Sequence, residues 1–435
     1  MLEYAARVAL FLKQKKGQLQ KRKQRKILER KQYTKETAVI DTAQAVQVLG
    51  KIRPCGKAEC KELTFRGGCA VSVIIPVYNA AGTLSKCLDS VCGQKLTQDF
   101  EIICVNDGST DGSTDILSKY EKRYPELVVI EEENRGGAGA RNCGLQKAGG
   151  RYLFFLDADD FLPQGVLQKL LDDAQQSGAE IVIGKTARCL TSREIIVQPR
   201  TEESREEKSL WSARKYGMGT PWGKLYKASL WEKTQFFEGY GFEDSIVYLD
   251  IYPQCKKFYL EGTLSYCFRS GKNSLYKRQK NSAKGIDALW IVIKAVQHAQ
   301  EIGADIYSSE YYQLILWHLS TVMYGRLTQF ESREILESAF VVAAEFICKT
   351  FTGKEEYAFV GDESEKEIYR LLEKSFQERD FGMWVQCSKA LLWGDRIFEK
   401  CGIRRDEGGD GGKTLEIRGK RRLSARDGGA NYQQS

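Results

Sequence analysis

Between Cys69 and Gly184 the chain alternates short β-branched runs with stretches of helical periodicity. Val71-Ser72-Val73-Ile74-Ile75-Pro76 is almost wholly apolar and closes on a proline, as expected of a strand buried on both faces of a parallel sheet. Leu84, Leu88 and Val91 then recur at helical spacing. Phe100 to Val105 reads as a second strand, closed by Asn106-Asp107-Gly108-Ser109, and Asp111 to Tyr120 as a helix. Leu127 to Glu131 gives a third strand and Gly139 to Gly149 a helix. Arg151 to Leu156 gives a fourth strand running into Asp157, followed by a helix over Val166 to Ser177 and a fifth strand over Ala179 to Gly184. Strand and helix alternating through connections of a few residues predict an α/β fold: an open, mainly parallel sheet with helices on both faces. Ligands of such sheets bind beyond the carboxyl ends of the strands, so the polar residues just after each strand are the ones to examine.

Outside this stretch the pattern changes. Long helical periodicities follow residue 280, over Ile286 to Glu301, Glu310 to Leu327, Arg333 to Thr350, Ser364 to Phe381 and Met383 to Cys401. They suggest an α-helical appendage over 281–403, after an α/β domain over 69–280. The Gly-, Arg- and Lys-rich residues 404–435 lack periodicity and read as a disordered basic tail. Residues 1–68 read as a basic amphipathic N-terminal arm and linker.

The net charge of +8 is confined to that arm. Residues 1–69 carry seventeen Lys and Arg against six Asp and Glu, which leaves the remainder slightly acidic. Residues 1–35 could be a solvated helix, or an arm resting on anionic lipid at the inner face of the cell membrane. No aromatic interleaving accompanies the charge, so nucleic acid is not an expected partner. No run approaches the roughly 20 apolar residues of a membrane span. The apolar start is broken by Arg7 and lacks a cleavage site, so no secretory signal is read there. Thirteen scattered cysteines fit reduced thiols in a cytoplasmic protein better than a disulfide framework. Cys55, Cys60 and Cys69 do not have the spacing of a zinc site.

Three predicted strand ends carry the polar chemistry: Pro76-Val77-Tyr78-Asn79, Asn106-Asp107-Gly108-Ser109-Thr110-Asp111 and Asp157-Ala158-Asp159-Asp160. An acidic cluster at strand tips is costly unless a cation offsets it, and a divalent ion would leave positions open for phosphate oxygens. Taken singly, Asp157 could be a helix cap, and Asp160 could cap the helix that follows. Glu243-Asp244 likewise suits a helix start ahead of Ile246, Leu249 and Ile251. Gly137-Ala138-Gly139 with Gly144 has the wrong spacing for a dinucleotide fingerprint.

Together the motifs resemble those of the family 2 glycosyltransferases. The resemblance covers residues 70–185 closely: Val71 to Asn79, Val105 to Asp111, Asn134-Arg135-Gly136-Gly137, Ala140 to Gly144 and Asp157 to Asp160. It continues more loosely through Pro221 to Tyr226, Gly241-Phe242-Glu243-Asp244 and Tyr266 to Arg269. It implies the GT-A fold and an inverting, metal-dependent transfer from a nucleotide sugar, expected to be a UDP-sugar, with Mn2+ or Mg2+. The implied acceptor is a glycan, polysaccharide or lipid-linked hydroxyl in cell-envelope synthesis. On the donor side it places Tyr78 against the nucleobase, Asp107 on base or ribose, Arg141 near the diphosphate or sugar, and Pro76 and Ala158 beside them. Asp157 would contact ribose and metal, and Asp159 would be the principal metal ligand. Trp222 and Lys224 would line the far side of the cleft, and Arg269 could close over the pyrophosphate. Asp244, with Glu243 second, would be the catalytic base, since the only histidines are His298 and His318 in the helical region. Two other readings remain: a sugar-1-phosphate nucleotidyltransferase, disfavoured by the lack of a Gly-rich phosphate loop over Pro76 to Gly82, and a non-catalytic sugar-nucleotide-binding protein.

Overall fold

The computed structural model describes residues 36–56, 59–190, 195–197, 203–217, 219–270, 282–351, 357–361 and 363–401. The basic arm over 1–35 and the tail from 404 lie outside the described residues.

Val71, Val73, Ile75 and Val77 of strand β1 (Cys69–Val77) pack into one apolar cluster and Ile74 into another, as the two-residue repeat of a strand requires. Beside it run β2 (Phe100–Asp107), β3 (Leu127–Glu132) and β4 (Gly150–Phe155), in the order β3-β2-β1-β4 and all parallel. Three helices join them: α2 (Ala81–Cys92), α3 (Ser113–Arg123) and α4 (Gly136–Lys147). Leu84, Leu88 and Leu117 of α2 and α3, with Leu167 and Leu170 of α5 (Val166–Ser177), cover one face of the sheet. Helix α4 covers the other, and it lies close: a Cβ on Gly144 would meet Ile74 Cγ2 at 2.4 Å.

Past β4 the sheet departs from the expected parallel series. The fifth predicted strand forms as β5 (Ile181–Leu190), but β8 (Lys224–Lys227) inserts between β4 and β5, antiparallel to both. The long strand β9 (Phe258–Ser270) then pairs parallel to β5, and β7 (Arg205–Glu207) closes that edge. A short β6 (Ile195–Val197) completes the nine strands. β8 has only four residues, Lys-Leu-Tyr-Lys, too few to stand out as a pattern.

Two expectations are corrected here. The stretch up to Gly68 is not all linker, because Thr42–Ile52 forms a helix, α1. Its Ala45 and Leu49 are fully buried in the cluster that also holds Ala339 and Ala343 of α10 (Arg333–Thr350). Asp41 caps α1 by accepting from the Gln44 amide at 2.8 Å. Only two of its eleven residues are fully buried, too weak a stripe to read from sequence. The helices beyond residue 280 do not stand apart either. Leu289 and Ile291 of α7 (Asp287–Glu301) share one continuous core with Ile74, Ile103 and Phe155 of the sheet.

Candidate active site

The loops after β1 and β2 are laced together at the top of the sheet. Asn79, in the left-handed region at φ 49°, donates its amide to the Ser109 hydroxyl oxygen (3.1 Å) and accepts from the Thr110 amide at Oδ1 (2.8 Å). The Ala81 amide donates to Asp111 Oδ2 at 3.0 Å. This lacing follows Pro76 at the end of β1 and leaves the Tyr78 ring 53% exposed, available for stacking. Asp107 is buried, and its two oxygens accept from the amides of Arg135 (2.6 Å) and Gly136 (3.0 Å). It therefore anchors the start of α4, as an anion at a helix N-terminus should.

The Asp157–Asp160 run follows β4. One carboxylate oxygen from each of Asp157, Asp159 and Asp160 lies within 4.8 Å of the others. Ala158 is buried between them, and its carbonyl accepts from the Thr83 hydroxyl at 3.1 Å. The crowding shows in the acidities. The cleft walls around Asp159 and the neighbouring charge of Asp157 push its carboxyl up to about 6. Three clustered carboxylates fit a divalent cation, which would offset charge that the protein alone leaves uncompensated.

Asp160 does not cap a helix. The next helix, α5, begins only at Val166, with Gly165 at its cap position. Asp160 instead accepts from the Tyr266 hydroxyl (2.8 Å) and the Arg269 amide (2.7 Å), tying the acidic run to β9. Burial, then Asp159, push its carboxyl up to about 8. The guanidinium of Arg269 lies over the Phe161 ring at 5.5 Å.

Arg141 joins this run to the predicted base. From α4 it donates to Asp157 Oδ1 at 2.8 Å and to Glu243 Oε1 at 3.3 Å. Burial opposes its charge, but Asp157 and Glu243 outweigh that and hold its pKa above the usual arginine value. Glu243–Ser245 is a short 3-10 turn that opens the helical segment carrying the buried Ile246, Leu249 and Ile251. Burial, then Glu243, push the Asp244 carboxyl up to about 7. That value suits a group which must take a proton near neutrality.

Several positioning groups escaped the sequence reading. Phe242 holds a left-handed backbone, φ 62°, and its ring lies 4.0 Å from the Arg326 guanidinium of α9 (Met323–Leu327). Asp287, the first residue of α7, accepts from the Gly241 amide and from Arg53 Nε, both at 2.6 Å. The loop before Asp244 is thus fixed by residues of the helical region. Asp287 lies 46 positions beyond Gly241, so only the fold could reveal the link.

Trp222 is buried and stacks on Tyr266, centroids 4.6 Å apart, and on Phe268 at 5.5 Å. Lys224 is deeper than a cleft-lining residue. It is 2% exposed and donates to the Thr220 carbonyl at 2.7 Å, and burial pushes its amine down to about 7. It supports the turn that carries Trp222. Neither histidine joins this group: His298 bonds Asp250 at 2.7 Å, and burial pushes His318 down to about 3.

A mixed sheet whose fourth strand ends in a clustered Asp-Ala-Asp-Asp, with an antiparallel strand beside it and a second acidic pair joined to that run through Arg141, is an α/β arrangement of GT-A type. The chain matches the model of glycosyl transferase family 2 over residues 72–234. It is 34% identical over 218 residues to the glycosyltransferase GlyA of Streptococcus pneumoniae, covering 47% of this chain and 31% of that protein. It is 33% identical over 204 residues to the poly(ribitol-phosphate) beta-glucosyltransferase of Bacillus spizizenii, covering 46% and 32%. The chain thus spans about a third of the length of these two relatives. Residues 1–349 of S. aureus TarS, in complex with UDP-GlcNAc, share the fold: the TM-score is 0.57 at 19% identity, covering 75% of this chain and 92% of that one.

Proposed function

We propose that the chain is an inverting, metal-dependent glycosyltransferase that moves a sugar from a UDP-sugar to a hydroxyl of a glycan, polysaccharide or lipid-linked acceptor. The observation that carries this reading is the bridge of Arg141 between Asp157 and Glu243, which joins the acidic run to the turn holding Asp244, the base of this reading. The base would lie across the reacting carbon from the leaving diphosphate, the geometry that inversion requires.

Tyr78 would stack on the base, and Asp107 would position the base or ribose while holding the start of α4. Arg141, bonded to Asp157, would orient that carboxylate toward ribose and metal. Asp159, with Asp157, would hold the divalent ion. When bound, that ion stabilises the negative charge developing on the departing nucleoside diphosphate. Arg269 would add positive charge at the same diphosphate. Asp244 would remove the acceptor hydroxyl's proton as that oxygen attacks the anomeric carbon. Trp222, held by its stack on Tyr266, would give the sugar an apolar wall.

Support for a donor of this class comes from the TarS fold, bound in that structure to UDP-GlcNAc, and from the relative named as a beta-glucosyltransferase. No helix among the described residues is long and apolar enough to cross a membrane, so a lipid-linked acceptor would be met from the surface. The proposed location is the cytoplasm, with residues 1–35 resting peripherally on anionic lipid. The test is a panel of UDP- and GDP-sugars scored for released nucleoside diphosphate, with Mn2+, with Mg2+ and with chelator. Release from UDP-sugars that needs the metal supports the reading. Equal release with chelator overturns the metal dependence, and no release or binding of any nucleotide sugar overturns the reading itself.

A further inference from the structure

A second group of reactive side chains lies outside the cleft. The segment after residue 58 is strapped along Glu232 to Gln235: the Leu63 amide donates to the Glu232 carbonyl and the Lys61 amide to Gln235 Oε1, each at 2.7 Å. Between this strap and helix α7 is a cavity of about 370 Å³ that Cys60 and His298 both line. His298 is 6% exposed, and Asp250, fully buried on the segment that follows Asp244, bonds its Nδ1 at 2.7 Å. Cys60 Sγ lies 3.9 Å from the Gln235 carbonyl on the same wall, and Phe237, edge-on at 5.7 Å, fixes the His298 ring plane.

We propose that Cys60, His298 and Asp250 form a second reactive centre, in which Cys60 is a nucleophilic thiol that takes small peroxides and other soft electrophiles. A thiol is nucleophilic as its anion, and an adjacent imidazolium held by a carboxylate stabilises that anion. With hydrogen peroxide the sulfur attacks one oxygen, the O–O bond breaks, and the leaving hydroxide takes the proton from His298 to become water. Cysteine is oxidised by two electrons to the sulfenic acid and the peroxide is reduced.

The surrounding charges are consistent with this role. Burial opposes a charge on His298, but bonds to Asp250 and to Cys60 push its pKa up to about 10. Lys61, Lys233 and Lys294 face the cavity as cations, against Glu59, Glu62 and Glu301. Burial pushes Cys69 and Cys267 up to about 11 and Cys92 to about 12. Cys55 is more exposed than Cys60 but lies beside the Tyr240 hydroxyl at 3.5 Å, not a histidine, and so serves as the internal control.

The experiment is competitive alkylation of the full chain with limiting iodoacetamide, each cysteine quantified by peptide mass spectrometry. Near pH 7, Cys60 should react about tenfold faster than Cys55. Equal rates would overturn the proposal without any variant being made. His298→Gln, with an unchanged melting temperature, should bring the two rates together. A tenfold excess that survived this substitution would show the activation not to be the histidine's. Trapping with dimedone after peroxide should mark Cys60 first, and a different cysteine marked first would refute the peroxide chemistry.

Discussion

Arg141 Nη2 donates to Asp157 Oδ1 at 2.8 Å, so a residue of helix α4 orients the first carboxylate in the acidic run. The same guanidinium reaches Glu243, so one cation joins the acidic run to the Glu243-Asp244 turn. Arg141→Lys cannot serve both partners in one plane and should lower kcat/KM by about tenfold or more. Steady-state kinetics against UDP affinity would check it, and an unchanged kcat/KM would refute the bridging role.

The acidic run and the base should separate cleanly in substitution. Asp159→Ala is expected to abolish both turnover and the metal-dependent part of UDP binding. Asp244→Asn is expected to lower turnover by about a hundredfold or more while UDP still binds. Calorimetry of UDP binding with Mn2+ on the two variants distinguishes the roles. Near-normal transfer by Asp244→Asn would mean that the base lies elsewhere.

The pH dependence follows from the same two groups. Asp244 must be ionised to accept a proton, and its pKa is pushed up to about 7. Turnover should therefore rise with pH through about 7 and level off above it. Asp159, pushed up to about 6, must be ionised to ligate a cation, so apparent Mn2+ affinity should climb through about 6. Rate and metal-titration profiles that are flat across pH 5 to 8 would contradict both assignments.

Asp287 acts on the base loop from the helical region. Asp287→Asn weakens its grip on Gly241 and leaves Arg53 without its buried counter-ion, a loss of about 3 kcal/mol in such pairs. A lower melting temperature is expected, with kcat falling and UDP affinity preserved. Loss of UDP affinity instead would indicate a general collapse of the sheet.

Gly144 reports on the packing of α4. A valine there would drive its Cβ to within 2.4 Å of Ile74 Cγ2, and overpacking of this kind costs about 1–3 kcal/mol. Denaturant unfolding of Gly144→Val should show that loss.

The fold was legible wherever local pattern and burial agree. β1, β2, β3 and β4 lie close to the expected ranges, because strands buried on both faces must be apolar throughout. β8 was invisible, since its place between β4 and β5 comes from pairing across some 70 residues of chain, not from any run of its own. The acidic run was readable as a candidate metal site because Asp157, Asp159 and Asp160 sit in one contiguous segment. Asp287, Arg326 and Tyr266 were not, because each acts at a distance in sequence: an amide held, a ring faced, a carboxylate bonded. Asp160 illustrates the limit, since the same residue type at a strand end can cap a helix or bind a later strand, and only β9 decides which.

The family match ends at residue 234, before Gly241, Glu243 and Asp244, and well before the residue that grips their loop. What is inherited as a recognisable unit is therefore smaller than what must operate as one. A chimera that grafts this sheet onto the helices of a relative would exchange, along with any acceptor preference, the clamp on the loop that leads to the proposed base. Such hybrids should fail in turnover before they fail in nucleotide binding, and restoring Arg53 and Asp287 together is the repair to attempt first.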